Sequence, residues 1–312
     1  MGPVADLLRR HGIRPDPLFR RHGLSTRLTD EPERLILLRD HLALVETAAR
    51  TVGDDILGAR LSTEGGYLSL GVFARYIEAG ATLGSALARS NATMAHQLQS
   101  ATQMRLQQAK GSVRWTYLVT ERVDAGRTQN ELLALGYQLD ILRRFLGRQW
   151  LPTRIEMPGA ARASRLAASG VFGCDVVVAE TAAVVFPAEL LRRPNPTPVP
   201  RPRPADGVPA VDDLVGTVQH LLESTALEGR PTLPGLARRL DVGPRTLQRR
   251  LAAHGETFDA LLARSLRHRA ERLLSSGLSV TAVGVELGYS DTAHFTRAYR
   301  GWTGRPPSAD RR

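Results

Sequence analysis

Two stretches near the C-terminus, LARRLDVGPRTLQRRL (Leu236 to Leu251) and VGVELGYSDTAHFTRAYR (Val283 to Arg300), lie about 47 residues apart and follow one pattern. Each reads as a short apolar helix, a tight turn and a second helix whose apolar residues share one face. In the first, Leu233, Leu236, Ala237 and Leu240 keep helical spacing, Asp241-Val242-Gly243 turns the chain, and Pro244 suits a helix's first turn. Leu247 and Leu251 then face inward, which leaves Arg245, Thr246, Gln248, Arg249 and Arg250 on the outer side. In the second, Val280, Val283 and Leu287 precede a Gly288-Tyr289-Ser290 turn, and Phe295, Ala298, Tyr299 and Trp302 continue the apolar stripe. Its outer face carries Thr292, His294, Arg297 and Arg300.

One amphipathic hairpin is as well explained by ordinary core packing as by a task. Two copies point to a shared geometric role. Leu240 aligns with Leu287, and Leu247 aligns with Phe295 after one inserted residue, so the turn and the docking face both recur. Guanidinium, amide, hydroxyl and imidazole groups on the outer faces are the chemistry that meets phosphates and base edges. Between the units, FDALLARSLRHRAERLLSSG (Phe258 to Gly277) predicts one long helix, a rigid spacer ending at Gly277.

The stretch from about Thr232 to Arg312 resembles the DNA-binding domain of the arabinose-operon regulator (AraC/XylS) family. The closing run GYSDTAHFTRAYRGWTGRPPS is similar to that family's signature in Phe295, Tyr299, Trp302, Gly304 and Pro307. One departure is the Ala309-Asp310 pair, where the family commonly places an aromatic residue shortly after the proline. The resemblance implies two helix-turn-helix units presented to one face of promoter DNA. Successive major grooves on one face lie about 34 Å apart, so one monomer is expected to read two boxes roughly 10 base pairs apart.

Charge placement agrees. From Arg230 to Arg312 there are 15 arginines against 7 acidic residues, whereas the whole chain has a net charge of +11. Most of the basic excess therefore sits with the repeated motif, as nucleic-acid contact requires. Upstream, RPNPTPVPRPRPADGVP (Arg193 to Pro209) has seven prolines in 17 residues and no apolar periodicity, so it reads as an extended linker. The expected organisation is an α+β effector-sensing or dimerisation domain over 1–192, a linker over 193–209, and an all-α DNA-binding domain over 210–312. Within the last, two helix-turn-helix units are joined by a long helix.

The N-terminal part predicts a helix around Val4 to Arg10 and another beginning after Asp30, where Asp30 and Glu33 have capping-box spacing. Further helices are expected near Asp55 to Leu61, Leu68 to Glu78 and Thr82 to Leu98. Val113, Trp115, Tyr117 and Val119 alternate with partners of the opposite face, the period of a strand, with Gln103 to Gln107 as its hairpin partner. A long helix with Leu132, Leu135, Leu139, Leu142 and Leu146 inward follows. A strand at Thr153 to Met157, a helix near Ala161 to Ala168 and two strands within Cys174 to Pro187 complete the reading. The segments GDDILGARL, GYLSLGVFARYIEAGATLGSALA, FLGRQWLPTRIEMPG and FGCDVVVAETAAVVFPAELL resemble the effector domain found in one branch of the same family, over residues 5 to 192. That resemblance implies an unidentified small-molecule effector. Tyr67, Tyr76, Trp115, Tyr117 and Trp150 are candidates to line its pocket, against the blander assignment of all five to the core.

Enzyme signatures are missing: the chain has no GxxxxGK[ST] loop, GxSxG elbow, HExxH site or CxxC pair. The eight histidines are scattered, and the single Cys174 rules out an intramolecular disulfide or a multi-cysteine metal site. No catalytic residue, metal or cofactor is expected. No run approaches 18 apolar residues and no signal-peptide core opens the chain, so a cytoplasmic protein without membrane contact is expected. The reading is a sequence-specific, effector-responsive transcriptional regulator; the family resemblance implies an activator, and the residues leave the sign of regulation open. Its expected partners are double-stranded promoter DNA, the effector and RNA polymerase, with a homodimer open. The competing readings are a nonspecific architectural DNA-binding protein and a small-molecule enzyme fused to a DNA-binding tail.

Overall fold

The computed structural model describes residues 1–31, 34–99, 101–123, 125–159, 161–200, 213–226 and 230–311. They fall into two compact units, Met1–His22 with Leu37–Val211, and Gly23–Ile36 with Asp212–Arg312. The first is α+β and the second all-helical, matching the expected fold class.

The first unit opens with α1 (Gly2–Arg10), α2 (Pro15–Arg21), α3 (Leu38–Val52), α4 (Leu57–Gly65), α5 (Val72–Glu78) and α6 (Leu83–Gln97). The hairpin β1 (Thr102–Ala109) and β2 (Ser112–Val119) follows, then α7 (Arg127–Leu146), β3 (Arg154–Met157), α8 (Arg162–Phe172), β4 (Val176–Val178) and β5 (Ala182–Pro187). The strands form one sheet in the order β1-β2-β5-β3-β4. Only β3 and β4 run parallel, which requires a crossover, and α8 supplies it. Lys110 and Gly111 both take positive φ, 47° and 77°, the backbone of a two-residue hairpin turn whose twist suits its strands.

The two-residue period of β2 becomes a buried face. Val113, Trp115, Tyr117 and Val119 pack with Val184 and Phe186 of β5, Ile155 and Met157 of β3, and Leu132, Leu135, Leu139 and Leu142 of α7. Helix α4 reaches α7 closely through two glycines. A Cβ on Gly58 would stand 1.9 Å from the Gln129 carbonyl oxygen, and one on Gly136 would stand 1.8 Å from Ser62 Oγ.

The helix expected to start after Asp30 instead starts at Leu38, because Asp30 closes a 3-10 turn over Thr26–Thr29. Glu33, the other half of the expected capping box, lies outside the described residues. The Pro-rich stretch expected as a linker over 193–209 lies outside them from Arg201 onward, including Arg201 and Arg203. Its beginning is tied down: the Asn195 side chain donates to the carbonyls of Glu78 and Gly80 at 2.7 and 2.8 Å.

The second unit contains α9 (Leu214–Thr225), α10 (Leu233–Arg239), α11 (Pro244–Ala253), α12 (Phe258–Ser275), α13 (Val280–Glu286) and α14 (Thr292–Thr303). Helix α9, for which the sequence reading made no assignment, packs on α12 through a face that buries Val218, Leu221 and Leu222. The segment Gly23–Ile36 completes this unit. Leu24 and Leu28 are buried, Arg27 grips Glu286 with two hydrogen bonds of 3.1 and 3.2 Å, and Arg34 pairs with Glu223 at 2.7 Å.

The Ala309-Asp310 departure has a structural answer. Pro307 is buried, and Asp310 accepts the Tyr299 hydroxyl at 2.6 Å through one carboxylate oxygen while the other meets Arg305 at 2.9 Å. A carboxylate between a phenol and a guanidinium thus anchors the final turn where the family pattern uses an aromatic residue. Burial and that carboxylate both push the Tyr299 phenol's pKa well above its ordinary value. Among the described residues no helix is long and apolar enough to cross a membrane, and no cluster of three or more potential ligands could hold a metal ion.

Candidate nucleic-acid interface

Each helix-turn-helix unit is assembled from the same local parts. Thr232 caps α10 by accepting the Gly235 amide at 3.2 Å, and Ser279 caps α13 by accepting the Ala282 amide at 3.1 Å. These hydroxyls satisfy amides that a helix N-terminus otherwise leaves without partners. Both turns then use one left-handed residue, Asp241 at φ 53° and Gly288 at φ 75°. Beyond them the Val242 amide donates to Ala237 O at 3.0 Å and the Tyr289 amide donates to Gly284 O at 2.9 Å, closing the turns identically.

The second helices start one residue out of step, as the alignment of Leu247 with Phe295 requires. Gly243 precedes Pro244 in the first unit, whereas Asp291 caps α14 by accepting the His294 amide at 2.7 Å. Leu236, Leu247 and Leu251 are fully buried in the first unit, and Val283, Phe295 and Tyr299 in the second. The second unit's docking surface is aromatic: Phe295 and Tyr299 lie 5.8 Å apart, Tyr289 lies 5.6 Å from Phe295, and Trp302 borders both tyrosines. Gly284 lies directly against it, since a Cβ there would stand 3.4 Å from Phe295 Cβ, at van der Waals contact.

With those faces inward, Arg245, Gln248, Arg249 and Arg250 are exposed on α11, and His294, Arg297 and Arg300 are exposed on α14. Thr246 and Thr292 are only half-exposed, and the Thr292 hydroxyl donates to Thr281 Oγ1 at 3.3 Å. His294 Nδ1 stands 3.0 Å from Asp291 Oδ2 and 3.4 Å from Ser290 Oγ, so its ring is oriented from the helix N-terminus. The His294 amide, followed by smaller contributions from the ring and Ser290, holds the Asp291 carboxyl below its ordinary pKa. Asp291's role in orienting the imidazole was missed in the sequence, although Asp three residues before His is a cap spacing.

Some arginines of this unit are committed to internal carboxylates and others are not. Arg264, Arg267, Arg269 and Arg305 each meet a carboxylate, Glu256, Glu271, Glu286 and Asp310 respectively. Among the described residues, no hydrogen bond or ion pair engages Arg245, Arg249 or Arg250 on α11, nor Arg297 or Arg300 on α14. Arg238 and Arg272, on α10 and α12, are exposed and likewise meet no carboxylate among the described residues, so what marks the outer faces of α11 and α14 is the grouping of several such cations on one helix face.

The five aromatic candidates of the first unit occupy its core. Tyr67, Tyr76, Trp115 and Tyr117 are buried, and half-buried Trp150 meets Phe186 edge-on at 6.3 Å. Trp115 Nε1 donates to Asn91 Oδ1 at 2.9 Å, the Tyr117 hydroxyl donates to Gln99 at 2.8 Å, and the Tyr67 hydroxyl donates to Glu78 at 3.1 Å. The polar ends of Trp115, Tyr117 and Tyr67 are satisfied by the fold itself, as buried groups require.

Residues 12–195 match the model of the arabinose-binding domain of AraC transcription regulators, and residues 236–312 match a helix-turn-helix domain. The chain is similar to the HTH-type transcriptional regulator VirS of Mycobacterium tuberculosis, with 27% identity over 97% of this chain and 92% of that protein. It is also similar to the HTH-type transcriptional regulator VqsM of Pseudomonas aeruginosa, with 40% identity over 24% of this chain and 23% of that one. The transcriptional regulator CdpR of Pseudomonas aeruginosa aligns with a TM-score of 0.45 at 20% identity, over 98% of this chain and 96% of that one. The chain belongs to the AraC family and is a helix-turn-helix DNA-binding transcriptional regulator whose N-terminal domain is of the effector-binding type.

Proposed function

We propose that the protein activates transcription in response to a small-molecule effector, with α11 and α14 entering two adjacent major grooves of promoter DNA. The observation that carries this reading is the grouping of exposed, unengaged arginines on the outer faces of α11 and α14, opposite the buried faces that dock each helix. A guanidinium with no internal partner can make a bidentate contact to guanine or hold a phosphate, whereas one already bound to a carboxylate is committed.

Direct base readout is assigned to Arg245, Gln248 and Arg249 on α11 and to His294 and Arg297 on α14. Thr246 and Thr292 sit at the helix starts, and Arg300 holds phosphate. The two helices are chemically unlike: in the one-residue-shifted alignment Arg249 matches Arg297, but Arg245 matches Ala293 and Thr246 matches His294. The target is therefore two different boxes, with no palindrome imposed by a single protomer. RNA polymerase is the expected partner of the DNA-bound form, and the first unit is the expected site of effector sensing, homodimerisation or both.

Selection of bound duplexes from a random DNA pool tests this reading. Two unlike boxes, their centres about 10 base pairs apart, are expected. Retention without any enriched sequence would favour an architectural role instead.

A further inference from the structure

A cavity of about 190 Å³ opens in the first unit between α4, α7 and α8. None of the five aromatic residues expected at an effector pocket lines it. Its walls combine Leu139, Val171 and Phe172 with three charged side chains, Asp140, Arg143 and Arg148.

Two of the three charges are fixed in place and incompletely used. Arg143 is anchored by its Nε, which donates to Trp150 O at 3.1 Å, and by one Nη2 hydrogen bond to Phe172 O at 2.9 Å. Its Nη1 donates to no group among the described residues. Asp140 accepts the Tyr67 amide at 2.9 Å through Oδ2, and among the described residues no donor reaches Oδ1. Although Asp140 and Arg143 stand one turn apart on α7, no ion pair joins them, whereas Glu46 and Arg50 on α3 close such a pair at 2.9 Å. Arg148 is exposed beside them and meets no carboxylate among the described residues.

A carboxylate with one unused oxygen, an anchored guanidinium and a second guanidinium around an apolar wall match a ligand that carries both charges. We propose that this cavity binds a small amino-acid-like zwitterion, with its carboxylate on Arg143 and Arg148 and its ammonium on Asp140. The proposal rests on the effector-sensing reading above and names the chemical class of that effector. Arginine favours carboxylates through paired donors, and Asp140 offers an ammonium group the acceptor it needs. A volume of about 190 Å³ restricts the ligand to small-metabolite size. Leu139, Val171 and Phe172 would cover its carbon skeleton. An uncharged or wholly apolar ligand would instead desolvate Asp140 and Arg143 without pairing them, which is unfavourable.

Thermal unfolding of the full chain, measured with the common L-amino acids at millimolar concentration, tests this. Each is compared with its carboxylic acid lacking the amine and with its decarboxylated amine. At least one amino acid is expected to raise Tm by about 2–5 °C, with both single-charge analogues falling well short. Asp140→Asn keeps an acceptor for the Tyr67 amide and should erase the preference for the amino acid over the bare acid. Arg148→Ala, at an exposed position, should weaken the response to both. The proposal is overturned if no amino acid shifts Tm, if the bare acid does as well as the zwitterion, or if both variants respond as the parent does. DNA affinity measured with and without the active compound separates the two readings. A ligand that binds at Asp140 and leaves DNA affinity unchanged sustains the site and removes its regulatory role.

Discussion

Asp241 and Gly288 hold the same left-handed backbone at the same point of the two helix-turn-helix turns, with φ 53° and 75°. An L side chain is tolerated there in the first turn and absent in the second, where a Cβ on Gly288 would stand 3.1 Å from the Arg230 backbone nitrogen and Cβ. The aspartate pays in backbone strain what the glycine avoids. Asp241→Gly is expected to leave stability within about 0.5 kcal/mol of the parent or raise it slightly, while Gly288→Ala should lower it by about 1–3 kcal/mol. Denaturant unfolding of the two variants checks the asymmetry, and equal effects would show that the turns are not equivalent.

The aromatic docking face of α14 predicts a graded response to truncation. Phe295 is fully buried against Tyr289 and Tyr299, so Phe295→Ala should cost about 3–5 kcal/mol and with it DNA binding. Trp302 keeps part of its surface in solvent, so Trp302→Ala should cost less, about 2 kcal/mol. Circular dichroism melts of both variants read the order, which a larger loss at Trp302 would reverse.

Glu131 on α7 is buried, and Arg127 stays 3.9 Å away. Burial pushes its carboxyl up from 4.5 to about 7, against a smaller opposing pull from Arg127. Because the folded state holds this proton more tightly than the unfolded chain, the glutamate's contribution is intact below pH 4.5 and is lost as pH rises through about 7. Glu131→Gln should therefore gain stability relative to the parent by about 2–4 kcal/mol between pH 4.5 and pH 8. A parent-to-variant difference that stays flat across that range would show that Glu131 ionises freely in the folded protein.

Much of the second unit was legible because its signals are local. The apolar spacing of Leu236, Leu240, Leu247 and Leu251, its echo in Val283, Leu287, Phe295 and Tyr299, and the single inserted residue all reappear in the structure. The sheet was legible too, since the alternation of Val113, Trp115, Tyr117 and Val119 marks one buried face. What escaped depends on partners distant in the chain. Nothing near Arg27 or Arg34 reveals that Glu286 and Glu223 will receive them, so the place of Gly23–Ile36 in the second unit has no periodic signature. The exchange of an aromatic anchor for Asp310 is invisible without Tyr299 and Arg305 beside it. The cavity lined from α7 by Asp140 and Arg143 has no sequence signal either, because it depends on how α4, α7 and α8 meet, while Trp115 and Tyr117 alternate into the core.

Arg249 and Arg297 occupy matching positions on α11 and α14, both exposed and both without a partner among the described residues. If each reads its own box, Arg249→Ala and Arg297→Ala should each cost about 1–3 kcal/mol on the specific site and relax sequence preference at one box only. Competition binding against duplexes randomised in one box at a time resolves the two effects. Equal losses on specific and random DNA would reduce both arginines to phosphate contacts.

The claim that one protomer reads two grooves through a rigid spacer is tested most directly by the distance between the boxes. Affinity of the full chain is measured for the selected site and for the same site with 5 base pairs inserted between the boxes, which rotates the second box to the opposite face of the duplex. The account predicts that the insertion removes the contribution of the second box, so that binding falls and Arg297→Ala no longer changes sequence preference. Unchanged affinity after the insertion, with Arg297→Ala equally damaging on both duplexes, would contradict it.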